Sequence, residues 1–330
     1  MSPTEIKKDQ TALLEWYSRS KRELPWRMNR DPYRIWISEI MLQQTTVAAV
    51  VPFYERFMKR FPNVKSLAES PLGDVLENWA GLGYYSRARN LHRSAQTLVK
   101  SGFPKTAELL EELPGFGAYT ARAVSSQAFG ERVGVLDGNV IRVLSRRHGI
   151  RSEWWKTPNR NGLQAISDRL AQVDSPSDLN QAMMELGATV CTPANPACML
   201  CPWTKSCIAR KEGQVSAIPL KRPRREREIW IWEPVVDIKK KSVLLVENDY
   251  APFLQGHWIL PGKVQRAKVA PKKFSFRGSV THHDIFVSMK KSAALAKKTG
   301  RRVSIENLKK EIPASLIRKA IEAALKNKQD

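Results

Sequence analysis

An all-α domain followed by a small α+β domain is the architecture this sequence predicts, and three observations predict it. Apolar residues recur at helical spacing through most of residues 1–215. The stretch AIPLKRPRREREI (217–229) is then Pro-punctuated and strongly charged, which suits a solvated linker. Beyond it, runs rich in β-branched and aromatic residues replace the helical pattern. The chain is therefore divided into a helical domain at 1–216, a linker at 217–228 and a second domain at 229–330. A length of 330 residues with 42% apolar content is enough for two such cores.

The helical reading rests on IWISEIMLQQTTVAAVVPFYERFMKRF (35–61), DVLENWAGLGYY (74–85), AELLEELPGFGAYTARAVSSQAFG (107–130), NVIRVLSRRHGI (139–150) and NQAMMELGATVC (180–191). Pro and Gly breaks separate them, as short turns do in a packed all-α domain. Strands are expected at IWIWEPVVDI (229–238), SVLLVE (242–247), HWILPG (257–262) and DIFVSM (284–289). The stretch from Ser304 to Lys326 reads as one or two basic helices, and no internal repeat is evident.

Charge narrows the partner. The chain carries 55 Lys plus Arg against 32 Asp plus Glu, a net +23. Residues 1–220 contribute 29 basic and 21 acidic side chains, whereas 221–330 contribute 26 and 11. Such an excess points to a polyanion, most often nucleic acid. No stretch approaches the roughly 20 apolar residues that span a bilayer, so no membrane association is expected. The opening MSPTEIKKDQ lacks the apolar core of a signal or transit peptide, and a cytoplasmic, DNA-associated monomer is expected.

Three local patterns carry chemistry. All four cysteines, Cys191, Cys198, Cys201 and Cys207, fall within 17 residues with spacing C-x6-C-x2-C-x5-C. That clustering can wrap one metal centre, and the spacing favours an iron–sulfur cluster over zinc without excluding the latter. In LPGFGAYTA (113–121), Gly115 and Gly117 allow a tight turn whose N–H groups face outward at a helix start, ready to hold a phosphate. In VLDGNV (135–140), Asp137 stands at a helix start; it suits an N-cap and equally a carboxylate kept ionised beside an opening sugar.

Helix-hairpin-helix, then Asp, then C-x6-C-x2-C-x5-C is an order that resembles the endonuclease III superfamily of DNA glycosylases, whose cysteines hold a [4Fe–4S] cluster. Lys205 and Arg210 beside the cysteine loop would then meet phosphates. WISEIMLQQT (36–45), with LPWR (24–27) before it and GLGYYSRARNLH (81–92) after, resembles the MutY-type adenine DNA glycosylases, over most of residues 20–210. The bifunctional branch of the superfamily carries a Schiff-base lysine where this chain has Tyr119, and the nearest lysine here is Lys105. The resemblance therefore implies a monofunctional enzyme that removes adenine opposite 8-oxoguanine or guanine in double-stranded DNA. The alternatives are an endonuclease III-like glycosylase/lyase and a non-catalytic iron–sulfur DNA-binding protein.

By that resemblance Glu39 is the acid that protonates adenine and Asp137 stabilises the sugar cation, with Tyr119 and Asn139 ordering the two. Independently, Glu39 lies among Trp36, Ile37, Ile40, Met41 and Leu42, an apolar setting that would keep its proton. Arg22, Trp26 and Arg27 match positions around the extruded base. Gln44 and Tyr84 match residues wedged into the duplex, with Gln43, Thr45 and Leu82 beside them; Tyr85 is read as core. The resemblance implies a Nudix-like lesion-reading domain at the C-terminus, where PFLQGHWILPGK (252–263) matches G-x-W-x-x-P-G. The following VQRAKVAPKKF has no acidic residue to hold metal, so binding and not hydrolysis is expected there. Val280-Thr281-His282 stands at the reading loop, with Thr281 and His282 facing 8-oxoguanine. The triplet His282-His283-Asp284 is not read as a metal site, because neighbours on a strand point apart.

Overall fold

The computed structural model describes residues 2–223, 225–289, 300–308, 312 and 314–326. It divides into two compact units, Met1–Arg222 and Pro223–Asp330.

The first unit is all helical: α1 (Pro3–Ser20), α2 (Pro32–Leu42), α3 (Val47–Arg60), α4 (Val64–Glu69), α5 (Leu72–Asn78), α6 (Tyr85–Ser101), α7 (Ala107–Glu111), α8 (Ala118–Phe129), α9 (Gly138–His148), α10 (Thr157–Leu170), α11 (Pro176–Thr189) and α12 (Ile208–Lys211). Its apolar side chains collect into two clusters. One is built on α2 to α8 around Trp36, Phe57, Trp79 and Leu91. The other joins α1 to α9, α10 and α11 around Leu13, Leu144, Leu163 and Leu186. The first unit therefore folds as two half-domains, and the site below is lined from both.

The apolar run 35–61 is not one helix. It breaks at Gln43–Thr46, where Gln44 takes a left-handed φ of 60°. Arg87 of α6 explains why the break is tolerated. Its guanidinium donates to the carbonyls of Ile40, Met41 and Gln43 at 2.7–3.2 Å, supplying partners for the helix end. The run 107–130 breaks likewise, at the Pro114–Gly117 turn. The expected linker is packed at its N-terminal end. Ile218 is 1% exposed and its carbonyl accepts from Arg146 Nε at 2.8 Å, so residues up to 222 belong to the helical unit.

The second unit contains β1 (Glu228–Pro234), β2 (Ile238–Lys239), β3 (Ser242–Glu247), β4 (Trp258–Ile259), β5 (Gly262–Ala267), β6 (Phe276–Val280), β7 (His283–Val287), β8 (Arg301–Ser304) and α13 (Ser315–Lys326). One sheet has the order β5-β1-β7-β6, with β1 and β7 parallel; a second joins β2, β3 and β4, with β8 on β3. Trp232, Leu245, Phe253, Ile285 and Ile317 form its core. HWILPG is not one strand but the whole of the short β4 and the first residue of β5. Of the expected C-terminal helices α13 is present, while 309–311 and 313 lie outside the described residues.

Candidate active site

A cavity of about 940 Å³ opens between the two half-domains. Eleven residues singled out in the sequence line it: Arg22, Trp26, Arg27, Glu39, Gln43, Gln44, Thr45, Gly117, Tyr119, Asp137 and Asn139. Chain order scatters them over more than a hundred positions, and packing gathers them.

Glu39 lies on the inner face of α2 and is buried. Its Oε2 accepts from the Tyr119 hydroxyl at 2.8 Å and its Oε1 from Gln127 Nε2 at 3.2 Å. Burial pushes its pKa up; these two hydrogen bonds oppose the shift without cancelling it. The Tyr119 hydroxyl also lies 3.0 Å from Met184 Sδ. With a single hydroxyl proton, Tyr119 can turn to the thioether and accept from Glu39 when the acid is protonated. Burial holds Tyr119 well above its ordinary pKa, so it stays a neutral hydroxyl.

Asp137 caps α9, its Oδ1 accepting from the Val140 N–H at 2.7 Å and its Oδ2 from Asn139 Nδ2 at 2.9 Å. The cap favours the anion, as expected of a helix start, but a second effect opposes it. Burial is the larger effect and raises its pKa, against the pull of the Val140 and Asn139 donors. Asn139 is fixed in turn by Arg142, which also donates to the carbonyls of Gly187 and Cys191 at 2.8 and 2.7 Å. Gly187 is required here, because a Cβ would sit 2.5 Å from that of Asn139.

Glu185 of α11 went unnoticed in the sequence. Its fully buried carboxylate is gripped by Arg22 and, at 2.9 Å, by Arg27. Burial alone would raise its pKa, but the two guanidinium groups outweigh it and the net shift is downward. The one available signal was a carboxylate within the apolar run NQAMMELG. Arg22 and Arg27 are thus counter-ions at the cavity wall, while Trp26 packs edge-on to Tyr54 at 5.2 Å.

At the rim, Gln43 donates to the Thr120 hydroxyl at 3.3 Å. Gln44 and Tyr84 are both exposed and both left-handed. Arg87 ties their loops together, donating to Gln43 O at 2.7 Å and Leu82 O at 3.0 Å, with its guanidinium 5.4 Å from the Tyr84 ring centre. Leu82, expected beside the wedge, is buried in the core and has no free face. Tyr85 is half-buried against that same core, as expected.

In the hairpin turn, Gly115 has φ 85°, and a Cβ there would meet that of Asn90 at 2.9 Å. Gly115→Ala should therefore cost about 1–3 kcal/mol of stability, measured by denaturant unfolding. Gly117 begins α8 with no side-chain cap, which leaves its first N–H groups available to an anion.

The four cysteines carry no disulfide and line a second cavity with Arg146. Arg146 Nη1 lies 3.4 Å from Cys191 Sγ. Among the described residues, no three of these sulfurs lie mutually within 4.8 Å. Four thiols on one cavity are a donor set that fits a metal centre, a zinc ion or an iron–sulfur cluster alike. Lys205 and Arg210 are exposed beside it, Arg210 donating to Thr204 O at 3.1 Å.

In the second unit Thr281 is exposed, its hydroxyl turned to Val280 O at 2.7 Å and its φ left-handed at 54°. His282 follows it in the turn before β7, and His283 is buried. Asp284 is claimed by Arg277 and Arg227 at 3.0 and 3.2 Å. Burial, and then His282, hold the His283 pKa below its ordinary value. Among the described residues no helix is long and apolar enough to cross a membrane.

Residues 37–161 match the HhH-GPD superfamily of base excision DNA repair proteins. Of solved structures, a thermostable thymine-DNA glycosylase is similar at 28% identity and a TM-score of 0.58, over 63% of this chain and 98% of that one. A non-covalent endonuclease III–DNA complex shares the fold at 22% identity and a TM-score of 0.53, over 64% and 98%. Adenine DNA glycosylase of Mus musculus is 45% identical over 222 residues, covering 63% of this chain and 43% of that protein. That of Buchnera aphidicola subsp. Schizaphis graminum is 32% identical over 320 residues, covering 89% and 92%. The chain belongs to the adenine DNA glycosylase family. It matches less than half the length of the mouse, rat and human relatives.

Proposed function

We propose that this chain removes adenine mispaired with 8-oxoguanine or guanine from double-stranded DNA, hydrolysing the N-glycosidic bond without cutting the strand. The observation that carries the reading is Glu39: a buried acid with a raised pKa, in the same cavity as Asp137 and with room for a nucleoside. Adenosine leaves the stack and enters from the rim, where Gln44 and Tyr84 fill the vacancy and Gln43 and Thr45 flank it. The N–H groups after Gly115 and Gly117 hold a backbone phosphate. Arg22, Trp26 and Arg27 surround the base. Glu39 protonates adenine N7, so that the base departs neutral. Asp137, ionised at that moment, stabilises the sugar cation, and Tyr119 and Asn139 keep the two carboxyl groups and the water in place.

Strand cleavage through a Schiff base needs an amine at the sugar, and the residues lining the cavity include no lysine. Cys191, Cys198, Cys201 and Cys207 would hold a [4Fe–4S] cluster, which when bound supplies a rigid cross-link for the loop carrying Lys205 and Arg210. The second unit is read as a Nudix-like binding domain in which Thr281 and His282 face the oxidised purine. In support, the segment between β5 and β6 holds neither a helix nor an acidic residue.

A labelled duplex with A opposite 8-oxoguanine tests the proposal, with strand breaks scored before and after hot alkali. Breaks that need alkali are expected. Breaks without it would indicate a lyase, and none in either case would leave only a binding protein.

A further inference from the structure

Among the described residues, Glu228, His282 and His283 are the one group of three or more His, Cys, Asp or Glu whose ligand atoms all lie within 4.8 Å of one another. The sequence hides this group, because neighbouring strand residues point apart and Glu228 is remote in the chain. Two features of the fold assemble it. Strands β1 and β7 run parallel with Glu228 registered against His283. The left-handed backbone of Thr281 ends β6, so His282 sits in a turn and not on the opposite face of a strand. Its ring consequently lies beside that of His283, centroids 4.0 Å apart at 39°. The Glu228 N–H donates to His282 O at 2.9 Å, holding the turn against the start of β1.

An ion pair between Glu228 and His283, at 3.4 Å, accounts for part of this. Trp230 Nε1 and Arg266, each 3.1 Å from the carboxylate, complete that pair without His282. Two facts remain unexplained by it. The His283 side chain is 9% exposed, and its buried Nδ1 makes no well-formed hydrogen bond, the Val280 backbone offering only a weak one. The second imidazole is stacked alongside although nothing in the ion pair requires it.

We propose that Glu228, His282 and His283 form a divalent-metal site of the zinc class, with a fourth position open to water on the side of His282. Two imidazoles, borderline donors, with one carboxylate make a His2Glu set that suits zinc, whereas magnesium and calcium favour all-oxygen shells. Binding draws the three ligand atoms to about 2.0–2.2 Å from the ion, and half-buried His282 on its turn supplies the movement. The ion would replace Arg266 as counter-charge to Glu228. It would also pin the 281–282 turn, the segment read above as facing the lesion, to the first residue of β1.

The test uses the full chain with its cysteine centre loaded and no added metal, titrated with Co2+ and followed by visible absorption, then with Zn2+ by calorimetry. One equivalent of Co2+ is expected, with d–d bands and no thiolate charge-transfer band. His282→Asn and Glu228→Gln should each weaken Zn2+ binding about tenfold or more, whereas His257→Asn, at a half-buried histidine outside the group, should not. His282→Asn changes only a turn residue, so it carries the test if Glu228→Gln fails to fold. No uptake, a thiolate-type spectrum, or uptake indifferent to His282→Asn would overturn the site.

Discussion

Glu39→Gln is expected to slow adenine release by about 10²–10⁴-fold, the range for losing a general acid, while affinity for the mismatched duplex stays within about threefold of the original. The amide is close in shape to the protonated acid. Gln127 can still donate to its oxygen, and its NH2 can donate to Tyr119, whose own proton turns to Met184 Sδ. The pocket is therefore kept and only the transferable proton is lost. Single-turnover release from a labelled duplex, alongside binding by gel shift, separates the two effects. An unchanged release rate would remove Glu39 from the proposed role.

The same substitution should raise stability. The folded-state pKa of Glu39 lies above its unfolded value because burial disfavours the anion. Its contribution to stability is complete below the ordinary carboxylate range and is lost as pH rises through the raised folded value. The amide does not titrate. The melting temperature of Glu39→Gln relative to the parent should therefore climb with pH, by about 2–4 °C for each kcal/mol relieved in a domain of this size. Melting curves at acidic and at mildly alkaline pH test the sign.

Asp137→Asn is expected to cost about 10²–10³-fold in release, the magnitude typical of deleting one preorganised electrostatic partner of a transition state. An asparagine can still accept the Val140 N–H, so the start of α9 survives. Its NH2, however, would face the Asn139 NH2, which cannot readily flip while Arg142 holds the other end of that amide. Melting close to the parent together with the rate loss would separate chemistry from folding. A rate within about threefold of the parent would show that the anion is dispensable. In the proposed reaction release needs Glu39 protonated and Asp137 ionised, and both pKa values are raised by burial. The wild-type rate should therefore be bell-shaped in pH, with both limbs belonging to the coupled pair.

The parts of the site that could be read directly were those with a local signature. Gly115 and Gly117 announce a turn, Asp137 a helix start, and the cysteine spacing a shared thiol-lined cavity. Glu39 gained its meaning from the surrounding motif, with its apolar neighbours in support, and burial does raise its pKa. Glu185, Gln127, Met184 and Arg87 lack such a signature. Each looks like an ordinary helical side chain, and each acts through a partner distant in the chain. Leu82 shows the reverse, since it lies between an exposed Gly81 and a half-buried Gly83 while its own side chain is buried.

Sequence by itself determined the helical unit, the strand-rich unit after it, and which residue types were available for acid, anion and thiolate roles, because periodicity and spacing are local properties of the chain. Tertiary structure decided which charges are solvated and which are buried. It made Glu185 an anion between two arginines, lifted the Asp137 pKa against its own helix cap, and set His282 beside Glu228. The reason is physical: desolvation and ion pairing depend on what stands within a few ångströms in space, and the order of residues along the chain does not encode that distance.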